Sequence, residues 1–227
     1  MKLAFLASGN GSSLRAIMAA ISAGTLNAEG RIVVSNRKAA PALDFARGQG
    51  MQAVVIPTVS DAAAADRALT GALRLVGADW VVLSGYLRKL GPVTLAAYEG
   101  RILNIHPALL PQFGGAGMYG RRVHEAVLAA GVSETGATVH FVDGEYDHGA
   151  VVAQVRVPVK VGDTAADIET RVMAAEPRLF VDTLRRICSG ELLAARVPIA
   201  TRELIRELLD SGGDCVKAGW RESPISR

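Results

Sequence analysis

Short apolar runs alternate with stretches of helical periodicity along the first half of the chain, and that alternation limits the possible folds more than any other feature. The runs lie at residues 2–7, 31–35, 52–56, 79–84 and 101–105. Between the first two, Leu14, Ile17, Met18 and Ile21 recur at helical spacing. Residues 41–49, residues 61–76 and a short segment from Gly91-Pro92 also read as helices. The alanines of the 61–76 segment favour a helix and need no functional account. Apolar runs of this length, separated by helices, predict a parallel sheet. In such sheets ligands gather beyond the carboxyl ends of the strands.

The second half changes character. Arg121 to Ala130 is predicted helical, and Thr135 to Val142 and Ala150 to Val159 are predicted strands. The acidic turn Asp143–Gly149 between those strands makes them an antiparallel hairpin. Asp163 to Cys188 reads as helix, Leu192 to Val197 as a last edge strand, and Thr201 to Leu209 as an amphipathic helix before a Gly-rich polar tail. The expected fold is therefore α/β. A Rossmann-like parallel sheet in the N-terminal half is extended by antiparallel strands in the C-terminal half, with helices on both faces. Residues 1–198 are expected to form one domain, with halves at about 1–100 and 101–198, and 199–227 a C-terminal helix and tail.

Composition removes several classes of function. Half of the 227 residues are apolar and the net charge is only +3, with Lys and Arg scattered and 5% aromatic residues. No basic-aromatic stripe is present, which argues against nucleic acid. No run approaches a membrane span. The first apolar run is shorter than the core of a signal peptide and leads into Ser8-Gly9-Asn10-Gly11, so a buried strand is expected there. Cys188 and Cys215 form no metal-ligand pattern and read as thiols of a cytoplasmic protein.

Two motifs carry chemistry. Ser8-Gly9-Asn10-Gly11-Ser12-Ser13 joins the first strand to its helix. Such a loop puts free backbone N–H groups and hydroxyls at a helix N-terminus, where an anion is favoured; a tight turn with a Ser cap is the plain alternative. A dinucleotide fingerprint fits less well, because Leu14 stands at the third glycine position and the second strand ends in Ser35-Asn36-Arg37 without an acid. Arg37 and Lys38 still leave a 2′-phosphate, and hence an NADP-binding module, open. The second motif is Asn104-Ile105-His106-Pro107. Residues two apart on a strand share a face, so an amide and an imidazole project together just before a turn. The amide is suited to an oxyanion and the imidazole to proton transfer; a capped strand end with one surface His is the plain alternative. Gln112–Gly120 is expected to be a substrate flap. His140 alternates with core positions, and His124 and His148 are expected to be peripheral. His124-Glu125 lacks the second His of a zinc-protease helix, and the 143–154 stretch fails the calcium-loop pattern.

Together these stretches resemble the phosphoribosylglycinamide formyltransferases, a branch of the folate-dependent formyltransferase superfamily. The matching residues are S-G-N-G-S-S-L at 8–14, S-N-R at 35–37, L-S-G-Y-L-R-K-L at 83–90, N-I-H-P-A-L-L-P at 104–111 and T-V-H-F-V-D-G-E-Y-D-H-G at 138–149. The resemblance implies transfer of a formyl group from 10-formyltetrahydrofolate, a co-substrate, to the amine of glycinamide ribonucleotide in purine (IMP) synthesis. It implies catalytic roles for Asn104, His106 and Asp147, with His140 and Thr138 supporting them. Gly11, Ser12 and Ser13 would hold the phosphate, although Ser13 replaces the family's more usual Asn. Gly85 and Glu176 would complete the ribonucleotide site. Leu87, Arg88, Lys89, Leu90, Asn104, Asp143, Gly144 and Asp147 would line the folate site. An Arg that often holds the folate tail is replaced by Ala62.

The implied reaction is direct attack through a tetrahedral intermediate, with Asp147 orienting His106 and relaying a proton. It needs no metal. The implied partners are the two small molecules, with no nucleic acid or membrane, and the protein would be a monomer or a homodimer. A formyltetrahydrofolate deformylase, or a formyltransferase for another amine, shares the Asn-His-Asp set and remains the alternative.

Overall fold

The computed structural model describes residues 1–59 and 61–194. Five parallel strands come first: β1 (Lys2–Leu6), β2 (Glu29–Ser35), β3 (Gln52–Val55), β4 (Trp80–Leu83) and β5 (Ile102–His106). The antiparallel pair β6 (Glu134–Phe141) and β7 (Val151–Pro158) completes a seven-stranded sheet of order β3-β2-β1-β4-β5-β6-β7. The helices around it are α1 (Ser12–Ser22), α2 (Pro41–Gly48), α3 (Ala62–Leu75), α4 (Pro92–Ala97), α5 (Arg121–Ala129) and α6 (Ala165–Cys188). Residues Met1–Cys188 make one compact unit, and a short helix α7 (Glu191–Ala194) falls in a second unit that begins at Ser189.

The central strands β1, β2 and β4 are largely buried on both faces, as continuous apolar runs require. Leu3, Ala4, Phe5 and Leu6 are all fully inaccessible. Alternate residues Ala4, Leu6, Ile32, Val34, Val81 and Leu83 pack with Leu69 and Leu73 of α3. A second cluster joins Val127 of α5, Ala137 of β6, Val157 of β7, and Ile168 and Val172 of α6. Helix ends are fixed by side chains. Asp61 accepts the Ala64 N–H at 2.8 Å to start α3. Thr164 and Asp167 bond reciprocally before α6, a capping box. The buried Asp66 of α3 caps a different helix, accepting the N–H groups of Val93 and Thr94 at 2.8 and 3.0 Å. A side chain on Gly91 would collide with that carboxylate.

The strand order reverses between β1 and β4: the connection from β1 leads to β2 on one side, and that from β4 leads to β5 on the other. The loops leaving these strands diverge and open a crevice at the carboxyl edge. The expected edge strand at Leu192–Val197 is corrected in its described part. Residues 191–194 are helical, consistent with the strong helix preference of Glu-Leu-Leu-Ala once Gly190, with φ of 77°, has ended α6. The expected 201–209 helix and the tail lie outside the described residues. No described helix is long and apolar enough to cross a membrane.

Candidate active site

A cavity of about 620 Å³ occupies this crevice. Of the residues expected from sequence, its wall unites Ser12, Ser13, Gly85, Leu87, Arg88, Asn104, His106, Asp147 and Glu176. They come from the exits of β1 and β4, from β5, from the 143–149 turn and from α6.

One end of the cavity is built on β5 and β6. Across this antiparallel pair Asn104 faces His140 and His106 faces Thr138. His140 is buried, and its Nδ1–H donates to the Phe141 carbonyl at 2.8 Å. Its other nitrogen lies 3.1 Å from the Asn104 amide nitrogen and 3.5 Å from Asp147 Oδ1: unprotonated it accepts one N–H of the amide, and protonated it faces the carboxylate. The unprotonated form fixes the amide and leaves its second N–H free to point elsewhere. Thr138 donates to the Ala108 carbonyl and accepts from the Leu110 N–H and the Gln154 amide. It thereby pins the turn that follows His106.

His106 is buried, with Nε2 2.7 Å from the Phe113 carbonyl and Nδ1 3.3 Å from Asp147 Oδ2. Nε2–H is committed to the carbonyl, so the second contact is favourable only with a proton between imidazole and carboxylate. Burial draws the imidazole pKa below its usual value, and the nearby Asp147 charge opposes it without prevailing. Burial pushes the Asp147 carboxyl up, but His140, the charge of His106 and the Gly115 N–H together hold it below the usual carboxylate range. The Gly115 N–H donates to Asp147 Oδ2 at 3.1 Å. Phe113 and Asp147 both adopt left-handed backbone, with φ of 56° and 53°. Such conformations are uncommon for residues other than glycine and require support from their surroundings.

The other end is open. Gly11, at φ 71°, precedes α1 and offers it no side-chain cap. The Leu14 N–H is taken by Ser84 Oγ and the Arg15 N–H by the Gly11 carbonyl. The N–H groups of Ser12 and Ser13 have no acceptor among the described residues. Ser13 is only 3% exposed and lines the cavity, yet its hydroxyl has no partner there either. A helix end left in this state attracts an anion. On α6, burial alone lifts the Glu176 carboxyl from 4.5 to about 7.

Several expected site residues stand off the cavity wall. Leu90 is buried in the α3-side core, and Lys89 and Leu90 border a separate cavity of about 140 Å³. Asp143 caps its own turn, accepting from the Glu145 N–H at 2.9 Å and pairing with the exposed His148. Gly144 is exposed on that turn. His124, expected to be peripheral to the site, does not line the cavity; it is 2% exposed, and its Nδ1 lacks a partner. One helical turn places it on the same inward face of α5 as Val123 and Val127. Asn36, Arg37, Tyr86, Met118, Tyr119 and Tyr146 also line the cavity. Asn36, Arg37, Tyr86 and Tyr146 stand within the matching motifs and Met118 and Tyr119 within the expected flap, but none of the six was singled out as a site residue. Among the described residues no group of three or more His, Cys, Asp or Glu side chains is placed to hold a metal ion.

An amide, an imidazole and a carboxylate at the carboxyl edge of a mixed sheet, facing an uncapped helix end, form the layout of an acyl-transfer enzyme. The chain belongs to the formyl transferase family, whose model matches residues 1–184. Membership brings a folate-derived formyl donor as co-substrate. The chain is 43% identical over 196 residues to a chloroplastic phosphoribosylglycinamide formyltransferase of Arabidopsis thaliana, a match covering 84% of this chain and 66% of that protein. It is 36% identical to the phosphoribosylglycinamide formyltransferase of Escherichia coli (strain K12), with 85% of this chain and 89% of that one covered. The crystal structure of glycinamide ribonucleotide transformylase 1 from Symbiobacterium toebii superposes with a TM-score of 0.78 at 35% identity, covering 84% of this chain and 88% of that one.

Proposed function

We propose that the protein transfers the formyl group of 10-formyltetrahydrofolate to the amine of N1-(5-phospho-D-ribosyl)glycinamide, a step of purine synthesis. The observation that carries this reading is the single cavity shared by Asn104, His106 and Asp147 at one end and the uncapped Ser12–Ser13 helix start at the other. An enzyme joining a phosphorylated amine to a formyl donor needs both ends at once. Holding the two reactants together replaces a bimolecular encounter with an intramolecular one.

In this reading the phosphate rests on Gly11, Ser12 and Ser13. Gly85 and Glu176 flank the ribosylglycinamide, and Glu176 in its neutral form leaves the attacking amine unprotonated. The folate lies along the 87–90 loop and under the 143–147 turn. The amine nitrogen attacks the formyl carbon, and negative charge grows on the formyl oxygen. The free N–H of Asn104 stabilises that charge, and the Nε2–H of His106 joins it by exchanging the Phe113 carbonyl for the formyl oxygen. One such donor is typically worth about 3–4 kcal/mol. Asp147 takes the proton released by the amine and delivers it toward N10 of the folate. The bond from the formyl carbon to N10 then breaks, giving the N-formyl product and tetrahydrofolate. His140 and Thr138 act from behind, by orienting Asn104 and the turn after His106.

The test is formyl transfer by the purified protein with both substrates, beside a control lacking the ribonucleotide. Folate turnover that depends on the ribonucleotide is the expected result. Equal turnover in the control would identify a deformylase and overturn the reading, and turnover only with a different amine would replace the acceptor.

A further inference from the structure

The open end of the cavity has a charge that the proposed phosphate contacts do not use. Arg37 lines the cavity at the exit of β2, beside Ser12 and Ser13 from the exit of β1. β1 and β2 are parallel neighbours, so their exit loops lie side by side. Two hydrogen bonds tie those loops together. The Ser8 hydroxyl donates to Asn36 Oδ1 at 2.6 Å, and the Ala42 N–H donates to the Gly9 carbonyl at 3.2 Å. The Arg37 backbone is itself anchored, its N–H donating to Ser35 Oγ at 3.1 Å. Its side chain is exposed, and among the described residues its guanidinium has no carboxylate or carbonyl partner. The anchored backbone thus places an unpaired cation at the rim of the cavity.

The donors at the start of α1 are neutral amides and hydroxyls. They bind an anion but distinguish poorly between a dianion and a neutral oxygen group. A guanidinium makes that distinction, because its planar fork pairs with phosphate oxygens and its charge is permanent. Ser13 supplies a second sign of a ligand here: the residue is 3% exposed and lines the cavity, and its hydroxyl has no partner among the described residues.

We propose that Arg37 reads the charge of the acceptor's phosphate and so sets the preference for the phosphorylated ribosyl substrate over its dephosphorylated counterpart. This rests on the function proposed above. It assigns Arg37 no part in the chemical step. Lys38 is also exposed but does not line the cavity, so it serves as the control for general surface charge.

The test compares kcat/KM for glycinamide ribonucleotide with that for the ribonucleoside lacking the phosphate, in the wild type, Arg37→Gln, Arg37→Lys and Lys38→Gln. Arg37→Gln is expected to lower kcat/KM for the ribonucleotide roughly ten- to a hundredfold, chiefly through KM. The nucleoside value should stay within about twofold, and Arg37→Lys should recover part of the discrimination. An equal loss with both substrates, or the same loss in Lys38→Gln, would overturn the assignment. In parallel, the thermal midpoint is followed while inorganic phosphate is added. A smaller rise in Arg37→Gln than in the wild type is expected, and identical rises would overturn the assignment. If no variant formylates either acceptor, the proposed function fails, and the phosphate titration still decides the role of Arg37.

Discussion

The two ends of the cavity are built by opposite means. At the β5 end the functional groups are tied to other protein groups: Asn104 to His140, His106 to the Phe113 carbonyl, and Asp147 to the Gly115 N–H. At the α1 end the donors are left untied, with the Ser12 and Ser13 amides and the Ser13 hydroxyl lacking partners among the described residues. The difference follows from what each end must do. Groups that stabilise a transient charge must be oriented before it forms, since reorienting them during reaction costs rate. Groups that hold a stable anion need only be present and dry. The tied end therefore suits rate, and the untied end suits affinity.

That division is open to direct attack. The largest effect is expected at the tied end: His106→Ala and Asp147→Asn should each lower kcat about 100- to 10,000-fold, with circular dichroism and thermal midpoint close to the wild type. Near-normal turnover in either would remove that residue from the chemistry. Asn104→Ala should cost about 100-fold in kcat, and His140→Ala, which only frees the amide to turn, a smaller factor of about ten. If His140→Ala matched Asn104→Ala, orientation would be the whole contribution of the amide. At the untied end Ser13→Ala should raise KM for the ribonucleotide several-fold with a lesser change in kcat, removing one neutral hydrogen bond. A loss confined to kcat there would collapse the contrast between the ends.

The smallest effect concerns Glu176. Its carboxyl is raised from 4.5 in the unfolded chain to about 7 in the fold. The stabilisation from this group is thus complete below pH 4.5 and is lost as pH rises through about 7. Glu176→Gln lacks that dependence. Its thermal midpoint should gain on the wild type between pH 5 and pH 8, and a constant gap across that range would mean that the carboxyl is not buried in its charged state.

The same contrast explains what could be read from the sequence. The α1 end is local: strand, glycine loop and helix follow one another, so Ser8–Ser13 could be recognised as an anion site from neighbouring residues alone. The alternation of Asn104 and His106 was equally local, as was the order of strands and helices. The ties were not. Which histidine faces Asn104 depends on the register of β6 against β5. Which carbonyl receives His106 depends on the left-handed turn at Phe113, a conformation that phenylalanine itself disfavours. The burial of His124 was not legible either, because a single polar residue beside Val123 says little about which way a short helix is turned. Asp66 read as one more residue of an alanine-rich helix, because the helix it caps begins beyond the next strand. Residues 192–194 read as the start of a strand because apolar residues in a short run fit either period, and there helix propensity prevailed.

The Gly115 amide deserves use as an instrument. Its proton lies on the Asp147 carboxylate and belongs to a loop that also holds His106 through Phe113. Its nitrogen chemical shift and its exchange with deuterium should follow the ionisation of Asp147 residue by residue, in the unliganded protein and without any turnover. A silent backbone position thereby becomes a local voltmeter, recording the charge state of a half-buried acid while the reaction itself is switched off.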